Sequence, residues 1–524
     1  MEVLTAEQMS NADKKTIEEL KIPSIILMEN AAKSVFDIFT KLEINKNKIA
    51  IVIGKGNNGG DGLALTRYLL DYGYNVCIYM LAAKDSIHGD PLVNYSILNK
   101  YPTKIIQLDE ISFKDVDFTN YNVIFDAIFG TGLNKPLEGF YKEIIKSINL
   151  SGATIIAIDI PSGLSGNSCN IIGEHIKADY TITFCRPKIP HVMQPARKFC
   201  GKIYVTNISI PDFIVSSIES QISLINLNSL PFLKPRAVDS HKGNFGHAVI
   251  IGGSIGKTGA PIMSSMATTR IGAGLTTCVI PGKLNSIFES NLLEAMSFPA
   301  GDDYYFKEED ADVVLKFLEN KSVVAMGPGI GRNEDTQLFI KKILSINNIP
   351  LIIDADGLYK IDENLLESGL LSNRTVITPH IGEFARLLGC DREVLLNNRL
   401  HLAQEFACKY QILLVLKSAD TIIATPYGKI FINVEGNPAL SKGGSGDCLT
   451  GLITGFISQG YSFEDSSIFA CYIMGRTASI LASKYNENTI LTTDIINNLW
   501  ITLNEIRVYQ QEPQRNRSDC PVAI

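Results

Sequence analysis

From Lys48 to about Val205 the chain alternates short apolar runs with helix-length amphipathic stretches. The runs are KIAIVIG, NVCIYML, YNVIFDAIFG, ATIIAIDI, YTITF and KIYVTNI, with LALTRYLLDYG and GFYKEIIKSIN among the stretches between them. Short β-rich runs separated by helices make βαβ units, so this half predicts a parallel sheet covered by helices on both faces. A second α/β series opens at HAVIIGGS and continues through LTTCVIP, SVVAMGPG, PLIIDADG, RTVITPH, QILLVLKS and TIIATPYGKIFIN. A Gly-rich loop and a long helical region to Val508 follow. Between the two series, NISIPDFIVSSIESQISLINLNSLPFLKPRAVDSHKGN is rich in Ser, Asn and Pro and loses the rhythm, which places a boundary near Ile225. The expectation is an α/β protein with domains at 1–225 and 226–508. The polar, proline-broken residues 509–524 read as a disordered tail.

Composition removes several function classes. With 48 Lys+Arg against 55 Asp+Glu the net charge is −7, a field that repels phosphate backbones, so no nucleic-acid partner is expected. Ten cysteines are scattered without a CxxC pair, as in a protein with reduced thiols, and the seven histidines form no HExxH zinc motif. MEVLTAEQMSNADKK lacks the apolar core of a signal peptide, and no run approaches the roughly 18 apolar residues of a membrane span. A soluble, cytoplasmic protein with no membrane partner is expected.

Candidate chemistry sits at strand ends. Gly54-Lys55-Gly56-Asn57-Asn58-Gly59-Gly60-Asp61-Gly62 follows a strand and opens a helix, where backbone N–H groups and the helix dipole hold phosphate. It satisfies GxGxxG, but NVCIYMLAAK ends without the acid that a dinucleotide dehydrogenase places on ribose, so a plain dehydrogenase loses ground. Asn57, Asn58 and Asp61 offer side-chain oxygens to a cation or polar ligand, or serve only as turn formers. Asp126 in FDAIFGTGL and Asp159 in IDIPSG each end a hydrophobic strand, on the side where open α/β sheets bind ligands, or else cap the helices that follow.

In the second half, GGSIGKT at Gly252–Thr258 fails the Walker spacing because Ile251 stands where glycine is required, and GGSGD at Gly443–Asp447 ends in Asp where a nucleophile elbow needs Gly. KGGSGDCLTGLITGFI instead reads as an anion cradle opening an apolar helix. A carboxylate on its rim is unfavourable unless it works on a proton or a metal, so Asp447 is the general-base candidate, with a helix N-cap as the plain alternative. Lys417-Ser418-Ala419-Asp420-Thr421 ends another strand and offers a cation and a hydroxyl to phosphates. His380 ends a strand before an amphipathic helix, where a structural role is equally consistent with the residues.

GKGNNGGDG, DAIFGTGL followed by Pro136, and IDIPSGLSG, in that order, resemble the NAD(P)H-hydrate epimerase domain. The resemblance implies a Rossmann-like three-layer α/β/α domain with potassium on Asn58, Asp126 and Ser162. It also implies substrate contacts from Asn57, Asn58, Gly59, Gly60 and Asp61, from Gly130, Thr131, Gly132, Leu133, Asn134, Lys135 and Pro136, and from Asp159, a catalytic candidate. KSADT, TPHIGE, IDADG and GPGIG together resemble the ribokinase-like, ADP- or ATP-dependent NAD(P)H-hydrate dehydratase over most of residues 240 to 505. That implies a second α/β/α domain with nucleotide on Lys417, Ser418, Ala419, Asp420, Thr421 and Gly446. Ala260, Gly329, His380 and Asp447 would then face the hydrated substrate. Ser418 stands where that family usually has glycine, and Ser445 where it usually has threonine.

The implied protein is a fused repair enzyme, with the hydrates of NADH and NADPH as its small-molecule substrates, that epimerises R and S forms and dehydrates the S form. ADP, or less favourably ATP, is the implied co-substrate, with magnesium neutralising its phosphates; a homo-oligomer is expected. The competing reading is a ribokinase-like small-molecule kinase carrying a non-catalytic N-terminal scaffold.

Overall fold

The computed structural model describes residues 1–345, 348–511 and 522–524. The chain divides into two compact units between Ser220 and Gln221. In the first unit seven strands run in chain order as β1 (Ile49–Ile53), β2 (Val76–Met80), β3 (Ile105–Gln107), β4 (Val123–Ala127), β5 (Thr154–Ile158), β6 (Tyr180–Phe184) and β7 (Lys202–Thr206). They lie in the order β7-β6-β5-β4-β1-β2-β3, all parallel, with the two-residue strand Val522–Ala523 antiparallel on β7. Every residue of β1 is buried because successive side chains enter opposite cores. Ile49, Ile51 and Ile53 pack with Phe39 and Leu63 of the helices Ser24–Lys41 and Asn57–Asp71, whereas Ala50 and Val52 pack with Ile144 and Ile148 of Gly139–Asn149. The result is a three-layer α/β/α domain. Strand order reverses between β1 and β4, and their following loops frame the crevice where such sheets bind ligands.

The second unit adds β8 (Ile222–Leu224), β9 (His247–Ile251), β10 (Leu275–Pro281), β11 (Met296–Ala300), β12 (Val323–Met326), β13 (Leu351–Ile353), β14 (Thr375–Ile377), β15 (Leu413–Leu416), β16 (Thr421–Ala424) and β17 (Ile430–Asn433). Their order is β11-β10-β9-β12-β13-β14-β15-β16-β17-β8. Pairing is parallel from β11 to β15 and antiparallel through β16 and β17. TIIATPYGKIFIN is thus two strands, because five residues with Gly428 at φ +88° make a hairpin and cannot make a crossover. The Ser445–Ser458 helix lies on the Gly259–Ile271 helix; a Cβ on Gly451 would come within 2.2 Å of Ser264 O, so only glycine permits this approach.

Two boundaries differ from the expectation. β8 pairs in parallel with β17, so Gln221–Ile225 belong to the second sheet: the strand is three residues long and its partner lies some 200 positions downstream, which no local pattern reveals. The Thr492–Gln511 helix runs past Val508, and Val522–Ala523 form a strand, so neither end of the expected tail is disordered; residues 512–521 of it lie outside the described residues. Among the described residues no helix is long and apolar enough to cross a membrane.

Arg399 and Asp420 form a buried ion pair, 4 % and 1 % exposed. Arg399→Met leaves that carboxylate uncompensated and is expected to cost about 3–5 kcal/mol, read as a lowered urea midpoint of the second domain.

Candidate functional sites

A cavity of about 590 Å³ opens beyond the carboxyl ends of β1 and β4. The Asn57–Asp71 helix starts immediately after Gly56, so Asn57 to Gly62 are its first turns and not an open loop. The chain is tightly apposed here: a Cβ on Gly54 would stand 2.0 Å from Ile128 O. Asn57, Asn58, Asp61, Gly130, Thr131, Gly132, Leu133 and Asp159 all line the cavity. Gly59 and Gly60 are not among its lining residues: a Cβ on them would meet Gly54 O and the Met28 thioether, so their lack of side chains serves helix packing. Asn134, Lys135 and Pro136 are exposed and outside the lining, with Pro136 against Gly173.

Beneath the cavity, Ser162 and Asp126 are joined twice: Ser162 Oγ donates to Asp126 Oδ1 (2.6 Å) and Ser162 N to Oδ2 (2.7 Å). Asn58 Nδ2 donates to Phe129 O (3.0 Å), which turns Asn58 Oδ1 inward, buried and without a hydrogen-bond partner. Ser162 Oγ also reaches Phe129 O (3.2 Å), which links this amide to the carboxylate, and an orphaned buried acceptor is costly unless a cation or water completes it. Burial, partly offset by the Ser162 hydrogen bonds, pushes the Asp126 carboxyl up to about 6.

The other wall carries an acid cluster. Lys188, 1 % exposed, donates from Nζ to Asp159 Oδ1 (2.7 Å), Thr183 Oγ1 (2.9 Å) and Phe184 O (3.0 Å). Burial works to raise Asp159, but the Lys188 ammonium outweighs it and holds the carboxyl below its ordinary value. Asp61 goes the opposite way, well above its ordinary value, through burial and then the charges of Asp159 and Asp13. Asp13 rises to about 6, again mainly by burial. One pocket therefore holds two carboxyls that their surroundings drive in opposite directions, the kind of separation that acid–base chemistry uses. Lys188 and Asp13 carried no sequence signal; the lysine's partner lies 29 residues away and Asp13 reads as a surface acid of an amphipathic helix.

In the second unit, Lys417 follows β15 and His380 follows β14, and the two pair as a parallel bridge with Lys417 N donating to Pro379 O (2.9 Å). Ser418 and Thr421 close a turn, Thr421 Oγ1 donating to Ser418 O (3.0 Å), with Ala419 exposed at its tip. Asp420 departs from the expectation, its carboxylate directed inward to Arg399. His380 caps the Ile381–Leu388 helix, its Nδ1 accepting from Glu383 N (3.1 Å), while the ring stays largely exposed. Ala260 and Gly329 meet: a Cβ on Gly329 would lie 3.2 Å from that of Ala260.

Asp354 organises this centre, although the sequence marked it only as part of a motif. It is 1 % exposed and accepts from Lys417 Nζ (2.7 Å), Thr378 Oγ1 (2.8 Å) and Thr450 Oγ1 (2.9 Å). The N-cap of the Ser445–Ser458 helix is Gly444, at φ +93° and without a side-chain cap, which leaves first-turn N–H groups for an anion. Asp447 is the third helical residue, so it is not the cap. Gly446 keeps the lysine close: a Cβ there would sit 3.3 Å from Lys417 Nζ. Burial, then the negative charge of Asp354, pushes Asp447 up to about 7 against the opposing pull of Lys417. Among the described residues no group of three or more His, Cys, Asp or Glu side chains is arranged to hold a metal.

Fold and sites define a two-domain α/β enzyme, with an acid–base pocket in one domain and an anion cradle beside a tuned carboxylate in the other. Residues 248–500 match the NAD(P)H-hydrate dehydratase family model, and residues 24–189 match the YjeF-related protein N-terminus. The bifunctional NAD(P)H-hydrate repair enzymes of Thermofilum pendens and Moorella thermoacetica are 32% and 33% identical over 517 residues, 97% of each chain. A Bacillus subtilis ADP/ATP-dependent NAD(P)H-hydrate dehydratase, crystallised with ATP and magnesium, is 29% identical with a TM-score of 0.47, covering 52% of this chain and 94% of its own. The chain belongs to the family of bifunctional NAD(P)H-hydrate repair enzymes.

Proposed function

We propose that the first domain interconverts the R and S hydrates of NADH and NADPH and that the second dehydrates the S hydrate, using ADP in preference to ATP. The observation that carries this reading is the placement of carboxyls beside lysines: Asp159 held by Lys188 in the cavity that Asp61 also lines, and Asp447 in the first turn of the Ser445–Ser458 helix, where Lys417 packs against Gly446. In the first, Asp61 donates a proton to the hydroxyl as its C–O bond breaks and water leaves, the ring nitrogen's lone pair compensates the carbon, and Asp159 takes a proton from the water that adds on the opposite face; proton exchange with solvent restores both carboxyls. Asn58 Oδ1, Asp126 and Ser162 fit a potassium ion, because the orphaned acceptor and the buried charge both lack what a hard monovalent cation supplies. When bound, that ion neutralises Asp126 and fixes the loops after β1 and β4.

In the second, Asp447 removes the proton of the substrate hydroxyl as its oxygen bonds to the terminal phosphorus, and the nucleotide departs one phosphate shorter. Lys417 and the N–H groups of the Ser445–Ser458 helix hold the transferred charge. The C–O bond then breaks with inorganic phosphate as the leaving group, water takes a proton from the adjacent ring carbon, and that C–H electron pair forms the C=C bond that restores the nicotinamide ring. Magnesium, when bound, neutralises the nucleotide phosphates. Incubating the S hydrate alone with ADP is expected to yield reduced nicotinamide and phosphate in equal amounts; a stable phosphorylated product would indicate a small-molecule kinase instead. The cytoplasm, where hydrated nicotinamide nucleotides and ADP occur together, suits this role.

A base must be ionised to act, so activity follows the deprotonated fraction of Asp447. Dehydration kcat/KM is expected to climb about tenfold per pH unit below about 7 and level off above it. A profile flat from pH 5.5 to 8 would contradict the assignment. For the cation seat, Asp126→Ala is expected to slow conversion of the R hydrate by roughly 10-fold or more and to abolish its dependence on potassium, with S dehydration unchanged. Ser162→Ala removes a neutral ligand that water replaces and is expected to be milder.

A further inference from the structure

The second domain contains a cavity of about 490 Å³ that the proposed reaction does not use. It opens where β14 and β15 begin, at Thr375 and Leu413, whereas His380 and Lys417 follow the other ends of those strands. Its lining includes Glu464 and Asp465 and no basic side chain. Thr375 is 1 % exposed, and both its Oγ1 and Glu464 Oε2 are buried without a hydrogen-bond partner. Buried polar atoms left unsatisfied beside a cavity of mixed, mainly apolar lining call for an amphipathic occupant.

Charge decides its class. The Phe463–Ala482 helix begins here, capped by Ser462, whose Oγ accepts from Asp465 N (3.0 Å). Its N-terminus contributes only about +0.5 of an elementary charge. Two carboxylates outweigh that, and no basic side chain lines the cavity, so the site lacks positive charge. An anion is repelled, and a neutral ligand leaves the deficit in place. We propose that this cavity binds a small organic ammonium, its N–H groups donating to Glu464 Oε2 and Thr375 Oγ1 and its alkyl part packing against Leu413, Pro426 and Phe463.

The test is titration of the full-length protein with n-butylammonium, 1-butanol and butyrate at constant ionic strength and saturating potassium, by calorimetry and ligand-observed NMR. Saturable binding is expected for n-butylammonium, at least tenfold weaker binding for 1-butanol, and none for butyrate. Glu464→Gln should weaken the ammonium at least tenfold and Thr375→Val about fivefold. Saturating ADP and the Asp447→Asn substitution should leave the isotherm unchanged, because both act at the opposite ends of β14 and β15. Equal binding of the three probes, no saturable ammonium binding, or unaltered affinity in a folded Glu464→Gln or Thr375→Val protein would overturn the proposal, leaving a water-filled cavity.

Discussion

Asp447→Asn is expected to lower nucleotide-dependent dehydration of the S hydrate by roughly 100-fold or more while ADP still binds. The amide has the carboxylate's shape but accepts no proton, and the phosphate contacts come from Lys417 and the helix N-terminus, which the change leaves alone. The same substitution has a stability signature of defined sign. Folding raises the Asp447 carboxyl from 3.8 to about 7, so the folded state binds the extra proton and the wild-type protein loses stability as pH rises through that interval. The Asn variant escapes this loss. Its melting temperature relative to wild type should therefore rise between pH 4 and pH 8, and an inactive variant with no such trend would indicate that Asp447 is not the titrating group.

Asp159→Asn should reduce conversion of the R hydrate roughly 100-fold and spare dehydration of the S hydrate. It removes the ionised member of the carboxyl pair and strands the buried ammonium of Lys188, so a loss of stability accompanies it. The double variant Asp159→Asn, Lys188→Met removes that stranded charge. It should recover stability and stay inactive toward the R hydrate, which separates proton chemistry from mere folding; recovery of epimerisation with stability would show that Asp159 acts only as a structural partner.

Much of this architecture was legible before any coordinates because parallel strands buried on both faces appear as dense apolar runs, and strand-end acids stand out against them. Asp126 and Asp159 stand out in this way, Lys417 as a cation ending another strand, and Asp447 as a carboxylate on the rim of a Gly-rich helix start. Relations between distant side chains were not legible. Lys188 follows a strand as an unremarkable KIP, and only the fold carries its ammonium to Asp159 and so makes one carboxyl low while its neighbour Asp61 goes high. Asp354 stands in the sequence only as part of the IDADG motif, yet it ties Lys417 to Thr450 on the Ser445–Ser458 helix. Gly59 and Gly60 show a further limit, since a Gly-rich run marks close approach without saying whether a ligand or another segment approaches, and here Gly54 O and Met28 do. β8 escaped because a three-residue strand draws its stability from β17 and not from its own pattern.

The central claim is that two independent sites in one chain clear both epimers of hydrated nicotinamide nucleotide. The most direct measurement supplies the wild-type, Asp159→Asn and Asp447→Asn proteins with an R/S mixture of NADH hydrate, ADP and potassium and magnesium salts. Recovered reduced nicotinamide absorbance and released phosphate are followed together, under conditions where uncatalysed epimerisation is slow. Complete conversion by wild type, arrest after the S fraction with Asp159→Asn, and no conversion with Asp447→Asn is the predicted result. Arrest of the wild-type protein at the S fraction, or full conversion by the Asp159→Asn protein at the wild-type rate, would contradict it.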